Sequence, residues 1–132
     1  MGSEMCIRDS LRLNHKVKLI VNCPFNTVKY FLSKAKVYVH CAPFEYFGIS
    51  VVEAMASGCV PVVCKSGGPY TDVVDHGKYG LCFSTPNELA NIINRLLCNH
   101  ELCEQFSYTA MKRALIFDKE KFKREFLKVL DL

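Results

Sequence analysis

No stretch of the sequence stays uncharged and apolar for the roughly 18–20 residues that cross a bilayer, so no transmembrane helix is encoded. The eight cysteines never form a C-x-x-C pair, which argues against a zinc ribbon or finger. Charge is modest: a net +4 is compatible with an anionic ligand or a membrane surface but is far too weak to argue for nucleic acid on its own. There is no internal repeat and no low-complexity linker. No G-x-G-x-x-G follows the first strand candidate, which counts against half of an epimerase or dehydrogenase. The N-terminus has no apolar core of the kind a signal peptide carries.

What is present points to one folded domain. The 132 residues are 50% apolar and 23% charged, with the apolar residues in short separated runs, which fits neither disorder nor a fibrous repeat. Cys41, Cys64 and Cys82 fall within or at the ends of these runs, where a free thiol behaves as a small hydrophobe. The cysteines therefore read as reduced core thiols of a cytoplasmic protein rather than as disulfides or metal ligands. Residues 1–10 show no periodicity that joins them to the rest of the chain and read as a non-native leader, leaving 11–132 as the domain.

From Val17 onward, β-rich runs alternate with helical patterns. Residues 17–21 (VKLIV) read as a strand, and Asn26 as the cap of a helix to about Ala35. Residues 37–41 (VYVHC) form a second strand, then a loop through Phe47 and a helix from about Gly48 to Ser57, stopped by Gly58. A third strand spans residues 60–65, which requires Pro61 to sit at its beginning. Pro69 opens a short helix to Val74, and residues 81–83 make a short strand. Thr85-Pro86-Asn87-Glu88 is a capping box that starts a helix to about Cys98, and two more helices cover about 101–116 and 118–130. This order implies an α/β, Rossmann-like parallel sheet with helices on both faces.

Ligands in such sheets bind at the carboxyl ends of the strands, so the loop after residues 37–41 is where chemistry is expected. Glu45 lies in that loop and Glu53 on the second turn of the following helix. Gly48 at the helix start lets a ligand approach free backbone N–H groups, a setting that favours phosphate. At about 100° per residue, Ile49, Val51, Val52, Met55 and Ala56 share one face, whereas Ser50, Glu53, Ala54 and Ser57 share the other. Glu53 is then either a solvated glutamate or, given its small neighbours, part of a surface that something packs onto. By itself Glu45 is an ordinary loop carboxylate, and Gly67 and Gly68 are ordinary turn glycines.

The continuous run FEYFGISVVEAMASGCVPVVCKSGGPYTDVVDHGKYGLCF closely resembles the E-x7-E region of retaining glycosyltransferases of family 4. The resemblance implies the donor-binding, C-terminal domain of a two-domain GT-B enzyme that moves a hexose of mannose or glucose type. It implies no cofactor beyond the donor substrate itself, a GDP- or UDP-linked sugar. Glu45 is then expected to take the catalytic role of holding donor-sugar hydroxyls, and Glu53 to accept from the ribose diol. The N–H groups of Phe47, Gly48 and Ile49 would meet the diphosphate, and Gly67 and Gly68 would line the nucleotide side of the cleft. A complete domain of the family carries two further strands, with an arginine and a lysine for the diphosphate, and no residue before Val17 serves for these. The chain is therefore expected to be a partial domain, inactive alone, that works with a missing acceptor domain and a glycan or lipid-linked acceptor. The alternative is a non-catalytic nucleotide- or sugar-binding module acting with a partner chain.

If strands are missing, residues 17–21 should either pair directly with 37–41 or detach from the sheet. Three other features carry less. His40 reads as a satisfied core or cleft-edge histidine, and His76 as a loop residue without a partner. The last helix carries five basic residues between Lys119 and Lys128. It reads as a solvated basic face over a docked apolar stripe in preference to a membrane contact, and if the partner domain is missing, Phe122, Phe126 and Leu130 should form a partly exposed apolar stripe.

Overall fold

The computed structural model describes residues 2–130. Its centre is a three-stranded parallel sheet in the order β1 (Val37–His40), β2 (Val60–Cys64), β3 (Leu81–Phe83). Val37 pairs with Val60, and Val62 with Leu81. Alternation along β2 sends Val63 to one face and Val60 and Val62 to the other. On the first face α3 (Ile49–Ala56) contributes Val51, Val52 and Met55, and the π-helical turn Pro69–Val73 contributes Val73. On the second face α4 (Pro86–Cys98) brings in Leu96, Leu89 and Ile92. The long α5 (His100–Ala114) serves both, through Ala110 and Ala114 on the first and Leu102 and Phe106 on the second. The architecture is the expected α/β Rossmann-like one, with a parallel sheet covered on both faces.

Local chemistry explains the boundaries. α4 begins where expected: the Thr85 hydroxyl accepts from the Glu88 N–H at 3.2 Å, and Pro86 stands at N1. The Glu88 carboxylate reaches back to the Ser84 N–H at 2.8 Å, one residue before the cap. α3 ends on a Schellman motif, in which Gly58 at φ +88° donates to the Met55 carbonyl and Cys59 to that of Ala54. Pro61 sits at the beginning of its strand as expected, second in the central one and opposite Tyr38. The Val60 N–H donates to Lys36 on the β1 side, so alternation turns Pro61 towards β3, which starts one residue later opposite Val62. The missing N–H thus faces a position where no strand yet runs.

Other expectations need correction. Residues 17–21 form no strand and lie outside the sheet, with Val17, Leu19, Ile20 and Val21 each more than a third exposed. Among the described residues β1 pairs only with β2, so this run detaches rather than pairing with β1. Residues 2–10, set aside as featureless, fold into a helix, α1 (Gly2–Ser10), none of whose residues is buried. α2 (Phe25–Lys34) starts before Asn26, with Pro24 in the cap position and no side-chain cap. The buried side of α3 is also shifted: Ala54 is fully buried, while Ile49 and Ala56 are exposed. α3 packs against both the sheet and α5, so a small residue on its outer face is covered too. After a 3-10 turn (Leu115–Phe117), α6 (Lys119–Val129) buries nothing; Phe122, Phe126 and Leu130 are 68%, 52% and 48% exposed, so the stripe is partly exposed rather than docked.

All eight cysteines are free thiols, but only Cys59 is buried. Cys64 and Cys82 are half-buried, and Cys41, just past the end of β1, is exposed with Cys6 and Cys98, so the core reading fails for these three. Among the described residues no helix is long and apolar enough to cross a membrane.

Candidate functional site

The carboxyl ends of β1 and β2 release two connecting segments that lock together. The Ser66 hydroxyl donates to the Pro43 carbonyl, and the Gly68 N–H donates to the Glu45 carbonyl at 3.0 Å. A Cβ on Gly67, which has φ +69°, would lie 2.4 Å from the Glu45 carbonyl oxygen. One on Gly68 would lie 1.8 Å from that of Tyr46. Gly48 caps α3 in the left-handed region at φ +84°, and its Cβ would meet the Pro69 ring at 2.7 Å. The glycines are therefore more than turn residues: each permits a contact between residues 43–48 and 66–69 that a side chain would block.

This interlock sets out the predicted residues. Glu45 is half-buried in the loop, Phe47 exposed at its end, and Gly48 buried at the helix junction. Ile49 is exposed at the first position of α3, and Glu53 is half-buried one turn later. Gly67 is exposed and Gly68 buried beneath Tyr46. Glu53 lines a mostly apolar hollow of about 530 Å³ with Val52, Met111, Leu115 and Phe117, whereas Glu45 belongs to the interlocked loop. Among the described residues neither carboxylate has a hydrogen bond or ion pair. Two half-buried acceptors thus stand unpartnered, Glu45 before the start of α3 and Glu53 one turn into it, and the Ile49 and Ser50 N–H groups at that start have no intrahelical acceptor. That combination offers anionic acceptors for hydroxyls and backbone donors for a phosphate.

The histidines differ from their sequence reading. His40, at the last position of β1, is not satisfied: its Nε2 is buried without a partner among the described residues. It ends an edge strand that, among the described residues, has only β2 beside it in the sheet. His76 does have a partner, packing edge-on against Tyr70 with ring centroids 4.8 Å apart. It and Asp75 both adopt positive φ, at 55° and 49°.

Sequence reasoning passed over Arg113 and Phe117. The Arg113 Nη2 and Nε donate to the carbonyls of Asp72 and Val73 at 2.7 and 3.2 Å, tying α5 to the end of the π-helical turn. The guanidinium lies over the rings of Tyr79 and Phe117, 4.8 and 5.2 Å from their centroids. Phe117 meets Phe47 edge-to-face at 5.4 Å, so this cluster returns to the Glu45 loop. The only sequence signal was an arginine four residues before an aromatic at the end of a helix, which nothing in the sequence linked to residues 34–70 positions upstream.

Residues 4–113 match the family model described as Glycosyl transferases group 1. The chain is 32% identical over 120 residues to GDP-Man:Man(3)GlcNAc(2)-PP-Dol alpha-1,2-mannosyltransferase of Dictyostelium discoideum, covering 91% of this chain and 24% of that protein. The human protein of the same name is 38% identical over 68 residues, 52% of this chain and 14% of its own length. A probable sucrose-phosphate synthase of Thermosipho melanesiensis is 26% identical over 116 residues, 86% of this chain and 27% of that protein. The chain thus spans about a quarter or less of these relatives.

Proposed function

The chain belongs to the glycosyl transferases group 1 family, and from that premise we propose that it is the donor-binding part of a retaining hexosyltransferase of family 4, with a GT-B architecture and an E-x7-E site. The observation that carries this reading is the pair of unpartnered, half-buried carboxylates, Glu45 in the loop after β1 and Glu53 one turn into the helix that Gly48 caps. GDP-mannose is the donor we favour over a UDP-linked sugar, and a lipid-linked oligosaccharide the acceptor, because relatives sharing both chemistries in their names match the chain. The donor is substrate, and the reading calls for no further cofactor.

Glu53 accepts from the two ribose hydroxyls, since one carboxylate presents two oxygens to a vicinal diol. Glu45 accepts from hydroxyls of the transferred sugar and fixes the anomeric carbon. The N–H groups of Phe47, Gly48 and Ile49, with the α3 dipole behind them, meet the diphosphate and stabilise its charge as it leaves. Gly67 and the buried Gly68 form the nucleotide side. Acceptor alignment, the other requirement of transfer, falls to a partner domain outside this chain. The reduced thiols suit the cytoplasm, and the lipid-linked acceptor places the reaction at a membrane surface.

Calorimetry or competition binding with GDP and GDP-mannose tests the assignment. Glu53→Ala should weaken both by about tenfold, the loss of hydrogen bonds to a charged group. Glu45→Ala should weaken GDP-mannose alone, and in a transferase carrying this domain it should slow turnover more than it raises KM. Equal affinities in wild type and both variants would remove the assignment. Donor binding with no transfer in the presence of an acceptor-binding domain would favour the non-catalytic module.

A further inference from the structure

We infer that Gly68 and Arg113 are positioning residues for the loop that carries Glu45, and that through it they set the preference for a sugar-bearing donor over the bare nucleotide. The inference rests on the reading of Glu45 as the sugar ligand.

Gly68 is not a glycine for conformational reasons. Its φ of −60° and ψ of −34° lie in the right-handed helical region, open to any residue. What excludes a side chain is space: a Cβ would stand 1.8 Å from the Tyr46 carbonyl oxygen, 2.6 Å from its carbon and 2.9 Å from the Phe47 Cα. These are backbone atoms, so relief must move the chain at residues 46–47, immediately beyond Glu45. The Gly68 N–H also donates to the Glu45 carbonyl, so the same shift disturbs a bond to the loop itself.

Gly68 is fixed in turn by the segment on its carboxyl side. The π-helical turn begins at Pro69, and its last carbonyls, Asp72 and Val73, are held by the Arg113 fork. Arg113 has no carboxylate partner among the described residues; two of its donors hold two carbonyls and its planar face lies over two rings. One of those rings, Phe117, returns to Phe47. Loop, glycine turn, π-helical turn, arginine and aromatic pair thus form a closed circuit in which each part restrains the next. A lysine at 113 would supply a point charge without the fork and hold only one carbonyl well.

The test compares affinities for GDP-mannose and GDP, by ligand-observed NMR at millimolar concentration, in wild type, Gly68→Ala and Arg113→Lys. Both variants should lose about fivefold of the preference for GDP-mannose, roughly the worth of one displaced hydroxyl contact. GDP affinity stays unchanged in Arg113→Lys, which lies outside the donor site, and falls less than GDP-mannose affinity in Gly68→Ala, because Gly68 lies on the nucleotide side. A purely structural role would weaken both nucleotides equally or lower thermal stability alone, and either pattern overturns the inference. Should Gly68→Ala fail to fold, Arg113→Lys decides, since it adds no atoms at the interlock. A folded Arg113→Lys with wild-type preference refutes the proposal. A wild-type chain that binds neither nucleotide overturns the donor reading and this inference with it, whereas wild-type binding with unaltered variants overturns the inference alone.

Discussion

Phe47 and Phe117 offer a direct measure of how firmly the segment before α6 is tied to the Glu45 loop. Phe117→Leu keeps most of the apolar volume while removing the ring that meets Phe47 at 5.4 Å and 77° and lies under the Arg113 guanidinium. An edge-to-face pair contributes about 0.5–1.5 kcal/mol beyond its buried area. Phe47 is 37% exposed, which places this pair in the lower half of that range, at about 0.5–1 kcal/mol. The cation–π contact adds about 0.5–1 kcal/mol at a partly exposed site, so the single substitution should cost about 1–2 kcal/mol. A double-mutant cycle with Phe47→Leu separates the two, because the arginine contact is lost equally in both backgrounds and cancels. Urea unfolding of the four proteins, followed by far-UV circular dichroism at equal m-value, should return a coupling of about 0.5–1 kcal/mol. A coupling within about 0.2 kcal/mol of zero would show that the rings touch without holding anything, and the closed circuit would fail at that link.

Gly58→Ala should cost about 1 kcal/mol in the same assay. Its Cβ meets only Met111 and Ser107 at ordinary contact distances of 3.6 and 3.7 Å, which leaves the left-handed backbone as the penalty, partly offset by a stiffer unfolded chain. A loss above about 3 kcal/mol would mean the Schellman turn is packed more tightly than it looks. Burial pushes the Cys82 thiol from its ordinary 9.0 up to about 11, while the Lys65 charge pulls weakly the other way. Because the folded value is the higher one, the unfolded chain gives up its proton first. This stabilising contribution is whole below pH 9 and falls away as the pH rises towards 11. Thermal scans across that range should show a steeper decline for wild type than for Cys82→Ala, and parallel declines would contradict the assignment.

Much of this fold could be read from local chemistry, because its elements are locally specified. The Thr85–Glu88 cap, the Gly58 stop and the β-branched runs at 37–40 and 60–64 each carry their structure in a few adjacent residues. The failures lie where structure depends on a distant partner. Residues 17–21 have strand composition, but a strand is a paired state, and composition cannot supply the neighbour. Pro61 sits in a central strand because β3 starts one residue late, a register fact that no local pattern contains. At the site, Gly48 stood out by its place at a helix start, whereas Glu45 and Glu53, ordinary on spacing alone, were singled out by the resemblance of the run around them to the E-x7-E region. The roles of Gly67 and Gly68 as contact glycines, and the whole of the Arg113–Phe117 cluster, depend on segments more than twenty residues apart meeting.

The most direct test of the donor-site reading is an amide chemical-shift titration of the chain with GDP-mannose. Shifts should centre on Phe47, Gly48, Ile49 and Gly67 and largely vanish in Glu53→Ala. Shifts confined to the α4–α5 side of the sheet, or none at millimolar nucleotide sugar, would contradict the donor-site reading.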